Sequence, residues 1–354
     1  MAKTPSHKVS VALLGGGLVL LLVVSIIWAI GVGAVSIPLS ESARIVISQF
    51  PGVPKERLLS DIPETHVTII FQVRLPRVLL SGLVGAGLAA AGVVLQALFR
   101  NPLADPQVLG ISSGAACGAA VAIVAGIGFT IGGVSSIWLC AFVGAILTML
   151  LVFRVARIAS ANSATSILLA GIACSSMLTA AITIMMMWNR EKLEQIYLWM
   201  MGSFSAANWL RVGFVALVLL PAIICFMVLG RELDMISLGE QEARSMGVSV
   251  RRTRVIAVVV TSLLVAASVS VSGIIGFVSL VIPHIVRLLS GPQSRKLIPL
   301  CFLFGAIFMI ACDTLSRSLV PPTEIPVGAI TQIIGAPYFL YLLSQSRKKE
   351  GEGR

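Results

Sequence analysis

The side chains able to bind something are concentrated in one polar stretch, Arg231–Arg254, which reads RELDMISLGEQEARSMGVSVRRTR. Arg231, Arg244, Arg251, Arg252 and Arg254 alternate there with Glu232, Asp234, Glu240 and Glu242. Interleaved charge of both signs does the chemistry of ion pairing and docking, not of bond making. Ser237 and Glu240 have the Ser-x-x-Glu spacing of a capping box, and Gly247 stands where a helix C-cap glycine belongs. A short helix is therefore predicted over 238–246. It reads either as a docking helix pushed by another protein or as a solvated loop.

Elsewhere the reactive residue types are scattered. His7, His66 and His284 are far apart, and the six cysteines (Cys117, Cys140, Cys174, Cys225, Cys301, Cys312) lie in apolar runs without a Cys-x-x-Cys pair. They read as small buried hydrophobes, with no disulfide framework and no metal site. There is no Gly-x-x-x-x-Gly-Lys-Ser/Thr loop, so ATP is not bound in that way, and no catalytic dyad or triad spacing. Gly82, Gly85, Gly87 and Gly92 sit inside an apolar helix and suit close helix packing. No cofactor is implied.

The elements that carry these residues are set by composition. The chain has 354 residues, 57% hydrophobic and only 12% charged, with mean hydropathy +1.00. Soluble domains carry about 25% charged residues. The fold class is all-α polytopic membrane protein, a single transmembrane domain over 1–354 with the loop 231–254 on one side; long continuous apolar runs exclude a β-barrel. Ten spans are expected, at roughly 9–33, 66–99, 107–128, 134–156, 163–187, 207–230, 253–272, 274–290, 297–316 and 328–344. The first, behind Lys3 and Lys8, is too long for a signal-peptide core and reads as an uncleaved span. The second is long enough to project beyond the bilayer.

With ten spans both termini lie on one side. If that side is cytoplasmic, it holds 17 of the 26 basic residues, including Lys3, Lys8, Arg347, Lys348, Lys349 and Arg354, as the positive-inside bias requires. The net charge of +11 then reads as topology signal, not as a nucleic-acid face. Trp28, Trp138, Trp188, Trp199 and Trp209 fall near outer span ends, where indole rings favour the interface. In the outer loop 34–65, residues 40–50 could form an amphipathic surface helix before Pro51 and Pro54 break the chain; 191–202 reads as a second surface helix.

Charge inside the spans is nearly absent. Asp313, near an outer end, is the only acidic candidate. Ion-coupled transporters place carboxylates at mid-membrane, so the energy for transport is expected to come from a partner ATPase. The fifth span carries Ser163, Thr165, Ser166, Ser175, Ser176, Thr179 and Thr183. It reads equally as the wall of a water-filled path or as close helix packing. On the outer side Arg74, Arg77 and Arg317 oppose the positive-inside bias. They suit pairing, from an exposed and fixed position, with carboxylates of a docking protein, or contact with lipid headgroups. Residues 92–102 and 273–283 share a Gly-to-Pro spacing that hints at an internal repeat.

The segments RLPRVLLSGLVGAGLAAAGVVLQALFRNPLADPQVLGISSGA, LGEQEARSMGV, GIIGFVSLVIPHIVRLL and EIPVGAITQIIGAPYFLYLL closely resemble the permease family of iron-siderophore, haem and vitamin B12 ABC importers, over about residues 70–344. The resemblance implies ten-span subunits paired as a homodimer, occasionally a heterodimer, with the path at their interface. Two ABC ATPase subunits dock below and a substrate-binding protein docks above, in the plasma membrane of a bacterium or archaeon. By the resemblance, Ser237, Leu238, Gly239, Glu240, Glu242, Ala243, Arg244, Met246 and Gly247 belong to coupling helices seated in the ATPase. Arg74, Arg77 and Arg317 meet acidic groups of the binding protein, and Asn101, Leu103, Thr165, Ser166 and Ser176 lie at the path and inner gate.

The function expected is the permease subunit of an ATP-driven importer of a bulky metal chelate, with ferric siderophore first, haem and cobalamin next. It makes no covalent bond itself. An ion-coupled transporter is the alternative that would work alone in liposomes under an ion gradient. A membrane-embedded enzyme or scaffold would need a cluster of buried polar ligands that the sequence lacks.

Overall fold

With no water to bond exposed amides, an apolar run in hydrocarbon closes its own hydrogen bonds as a helix. The computed structural model describes residues 11–33, 35, 37–49, 53–131, 133–160 and 164–351. Lys3, His7, Lys8, Pro51, Ser163 and Arg354, named above, lie outside them.

Helix α1 (Val11–Gly31) is followed by three short helices, α2 (Leu39–Ile47), α3 (Lys55–Leu59) and α4 (Glu64–Thr68). A π-helical stretch, Ile69–Arg74, joins α4 without a break to α5 (Leu75–Leu98). The freed carbonyl of Phe71 accepts from Trp209 Nε1 at 3.1 Å, the kind of rescue a π stretch needs. A 3-10 turn, Pro106–Leu109, leads into α6 (Ile111–Val124). A two-stranded antiparallel pairing of β1 (Thr130–Ile131) and β2 (Val134–Ser135), with Thr130 opposite Ser135, turns the chain into α7 (Ser136–Ser160). Then come α8 (Ala164–Trp188), α9 (Leu193–Met201), α10 (Trp209–Leu238), α11 (Glu240–Ser245), α12 (Val250–Ser272), α13 (Val278–Ser290), α14 (Ser294–Ser318) and α15 (Val327–Gly351).

Among the described residues, 7 helices are long and apolar enough to cross a membrane: α1, the continuous Glu64–Phe99, α7, α8, α10, α12 and α14. Shorter apolar helices (α6, α13 and Val327–Tyr341 of α15) stand at the other expected positions. The all-α polytopic class is therefore met. The length of the second span is met as well: its 36 residues make a rod of about 54 Å, well beyond a ~30 Å hydrocarbon core. By contrast α6, with 14 residues, and α13, with 13, reach only about 20 Å. Each is entered through irregular backbone, at Gly110 (φ 80) and at Phe277 (φ 68).

The bundle is built around α5. In its most apolar window 89% of residues are buried, against 17% in α1 and 28% in α8 and α10, which therefore form the rim. Glycine allows the close contacts. A Cβ on Gly85 would collide with the carbonyl oxygen of Gly305 and with Met309 Cβ of α14, and one on Gly92 would collide with the carbonyl of Ser279 in α13. Lipid tails are as apolar as leucine, so such backbone-to-backbone packing supplies much of the association between helices.

Three expectations need correction. The helix of the sixth span does not stop at 230: α10 runs on to Leu238, because Leu233 and Ile236 are buried and keep the helix attached. Ser237 consequently lies inside α10, where its hydroxyl bonds the Asp234 carbonyl at 2.6 Å. The capping box with Glu240 does not form, and α11 starts at Glu240 behind Gly239. The Gly-to-Pro stretches are not repeats in conformation, since 92–98 is helix and 273–277 is a break. They touch each other instead, at Gly92 and Ser279.

A Gly85→Leu substitution should lower the melting temperature in detergent, by overpacking worth on the order of 1–3 kcal/mol. Gly213→Ala, at a position where an added Cβ meets nothing within 4 Å, should leave it unchanged or raise it. Equal melting of Gly85→Leu and the parent would remove α5 from the centre of the packing.

Candidate functional site

At the α1 C-terminus, helix geometry leaves carbonyls without intrahelical donors. Two arginines supply them. Arg74 Nη1 donates to the Ile30 oxygen at 2.9 Å and the Gly31 oxygen at 3.2 Å, and Nη2 donates to Val35. Arg317 Nη1 donates to the Val32 oxygen at 2.9 Å and Nη2 to that of Ala29. Arg77 grips two carboxylates. Its Nη2 lies 2.9 Å from Asp313 Oδ1 and its Nη1 2.7 Å from Glu324 Oε1. Asp313 also lies 3.7 Å from Arg317 Nε.

The three arginines are thus only 5%, 7% and 9% exposed. The expectation of exposed arginines is overturned: their guanidiniums are turned into the chain, toward the carbonyls at the C-terminal end of α1 and the carboxylates of Asp313 and Glu324. Glu324, with its side chain 39% exposed, is the member of the cluster that meets the outside. Asp313 is 1% exposed and held by two guanidiniums, so it is not a free mid-membrane carboxylate.

At the opposite end, α11 sits between the ends of α10 and α12. Its Ala243 is fully buried, while Leu238 at the end of α10 and Met246 at the α11 C-cap are 70% and 48% exposed. Exposed apolar side chains on so polar an element are what a partner's cleft would cover. The helix ends in a Schellman motif: Val248 N bonds the Ala243 oxygen at 2.9 Å, Gly247 N bonds that of Arg244 at 3.0 Å, and Gly247 has φ 85. The C-cap reading of Gly247 is met. Glu240 pairs with the buried Arg254 of α12 and, at 3.6 Å, with Arg244. Glu232 accepts from Thr253 Oγ1. Asp234 Oδ1 accepts from Ser294 N at 2.7 Å, so α10 caps the N-terminus of α14. Glu242 is exposed, with its carboxylate against Gly239.

The connection between α5 and α6 carries the expected gate residues. Asn101 Oδ1 accepts from Leu103 N at 2.9 Å, and Leu103 is 45% exposed. Asp105 caps the 3-10 turn through Gln107 N at 2.7 Å and accepts from Ser279 Oγ at 2.6 Å. Gln96 Nε2 donates to the Ser279 carbonyl at 3.2 Å, and Arg287 Nη2 donates to Gln96 Oε1 at 2.9 Å. Burial pushes the Asp105 carboxyl above the usual carboxylate range, opposed by the Ser279 and Gln107 bonds. This chain of bonds ties the connection to α5 and α13. Sequence reasoning missed Gln96, Asp105, Ser279 and Arg287; an amide inside an apolar helix is the signal that could have found the first.

Helix α8 meets the same connection, since a Cβ on its Gly171 would collide with the Val108 carbonyl. Thr165, Ser176 and Thr183 are exposed and return to one line of the helix. Ser166 is only 7% exposed and faces inward, away from that line. Leu169 and Ile172, 62% and 51% exposed, flank the hydroxyls.

Comparison with known proteins follows this geometry. The model of the FecCD transport family matches residues 21–345. The chain is similar to an uncharacterized ABC transporter permease protein of Bacillus subtilis, 39% identical over 92% of this chain and 92% of that one. It is similar to the hemin transport system permease protein of Yersinia pestis, 39% identical over 79% of this chain and 84% of the relative. A solved ABC transporter described as of metal-chelate type, in an inward-facing conformation, superposes with TM-score 0.80 at 34% identity, covering 94% of this chain and 99% of the other.

Replacing Asp313 with Leu should cost about 3–5 kcal/mol by stranding buried guanidiniums, whereas Glu324→Gln, at a half-exposed partner, should cost under ~1 kcal/mol. Thermal melting of the purified variants measures both. An Asp313→Leu protein as stable as the parent would contradict the cluster.

Proposed function

The chain belongs to the FecCD transport family, and from that membership we propose that it carries a bulky metal chelate, ferric siderophore first and haem or cobalamin next, through the plasma membrane into the cytoplasm. It is the permease subunit of an ABC importer; ATP hydrolysis belongs to a separate subunit. The observation that carries the reading is the pairing of a polar element at one end, α11 flanked by exposed Leu238 and Met246, with spans whose buried carboxylate, Asp313, is held by arginines. A transporter with no free carboxylate inside its spans gains its energy from outside them. An ion-coupled mechanism is disfavoured on the same ground.

In the proposed mechanism two ATPase subunits seat Ser237–Gly247, with α11 between them and α12. Closure of the ATPases moves α11. The Glu240–Arg254 pair passes that movement to α12, and Asp234 passes it to the start of α14. Helix α14 packs against α5 through Gly85 and Gly305, and α5 leads into the connection bearing Asn101 and Leu103. These two form the inner gate, with the Asp105–Ser279–Gln96 bonds holding the connection against α13. Thr165 and Ser176 of α8 line the path in a homodimer, each giving water-like hydrogen bonds without gripping the cargo; release demands weak sites. Ser166 is better suited to packing.

The binding protein docks at the opposite end, on the surface around Glu324. Arg74, Arg77 and Arg317 support that surface from beneath by fixing the ends of α1, α5 and α14. Both termini are cytoplasmic, which keeps Arg231, Arg251 and Arg252 on the positive side.

Glu242→Arg and Gly247→Pro should insert normally and yet lose uptake driven by ATP in proteoliposomes holding the ATPase and binding protein. The first reverses an exposed charge on the docking face; proline at Gly247 cannot adopt positive φ. Wild-type uptake by both would end the coupling assignment. In a background without the native cysteines, Thr165→Cys and Ser176→Cys should react with a membrane-impermeant thiol reagent to different extents with and without ATP, while Ser166→Cys stays inert. Inert Thr165→Cys and Ser176→Cys in both states would move the path to another helix. Mass spectrometry of the small molecule retained by the partner binding protein identifies the chelate; a retained molecule without bound metal would refute the cargo class.

A further inference from the structure

The face of α10 that turns away from the protein is a stripe of Leu217, Leu220, Ile224 and Val228, each 60–73% exposed. The same helical spacing continues to Arg231 and Met235. On α12, Leu263 and Val259, each 38% exposed, continue through Ile256 to Arg252. Two exposed apolar stripes thus end, at the α11 side, in two exposed arginines. A cavity of about 680 Å³ opens between the helices there, lined by both arginines and walled by Cys225, Val228, Met235 and Ile256.

Neither arginine has an acidic partner among the described residues. No ion pair among the described residues includes Arg231 or Arg252. The one carboxylate in the wall, Glu232, is occupied by Thr253 Oγ1. The arrangement has cationic forks at the level where a span leaves the hydrocarbon, and apolar grooves running from them into the membrane.

We infer that this cavity seats the phosphate of an anionic phospholipid, with Arg231 and Arg252 on the phosphate and the acyl chains along the α10 and α12 stripes. Guanidinium forks match phosphate oxygens geometrically. Basic pockets between spans on the cytoplasmic side are suited to acidic headgroups. Met246 and Gly247 share the cavity wall, so the bound lipid touches the end of α11 and steadies it from the membrane side. This inference rests on the membrane-spanning fold and is independent of the cargo.

The test is native mass spectrometry of the full chain in detergent, with phosphatidylglycerol or phosphatidylcholine of matched chains added, and again in complex with its ATPase. The parent should bind phosphatidylglycerol on the order of tenfold or more tightly than phosphatidylcholine. The Arg231→Gln, Arg252→Gln variant should bind the two alike, and the corresponding double lysine variant should keep most of the preference, which separates charge from folding. Equal binding of both lipids by the parent, or an undiminished preference in the glutamine variant, would overturn the site. Competition by millimolar inorganic phosphate would make it a free-anion site and overturn the lipid assignment. Loss of the preference when the ATPase binds would give the surface to a protein partner.

Discussion

Everything in this molecule hangs on the contact of backbone with backbone along α5. In water a helix pair is held by excluding water from apolar side chains; in hydrocarbon that force is absent, and approach distance decides. Gly85 against Gly305, and Gly92 against Ser279, let α14 and α13 come closer to α5 than side chains would allow. These contacts fix where α5 ends. They also place Gln96 beside Ser279, and through it Asp105 and the connection bearing Asn101 and Leu103. Larger side chains at those glycines would move that connection as well as loosen the bundle.

Around that packed centre the charged groups lie at the two ends, and they act differently. At the α1 C-terminus the arginines close a static cluster, satisfying orphan carbonyls and two carboxylates. At the α11 end the pairs Glu240–Arg254, Glu232–Thr253 and Asp234–Ser294 add polar links between helices α10, α11, α12 and α14. The Asp234 carboxylate on the Ser294 N–H ties the start of α14 to α10. The first set is suited to holding a surface still, the second to moving four helices together.

Much of this was legible beforehand, for physical reasons. Apolar runs located the ten segments, seven of them as helices among the described residues long enough to cross hydrocarbon. Gly247 was legible because only glycine is at ease in the left-handed turn that closes α11. Ser237 was misread because the local Ser-x-x-Glu rule competes with packing, and burial of Leu233 and Ile236 kept α10 helical past it. The arginines were misread because their acceptors lie about forty residues away for Arg74 and nearly three hundred away for Arg317. No local pattern reports such a partner. Short α6 and α13 had the hydropathy of spans, but their irregular entries depend on backbone at Gly110 and Phe277.

The central claim is that α11 moves as one body with α12 through Glu240 and Arg254. Charge exchange tests it most directly. Uptake per ATP hydrolysed is measured in proteoliposomes for Glu240→Arg, Arg254→Glu and the double exchange. The account predicts that each single change lowers the ratio and that the double change recovers part of it, because only coupled neighbours depart from additivity. Single changes without effect, or a double change as poor as the two losses added, would contradict it.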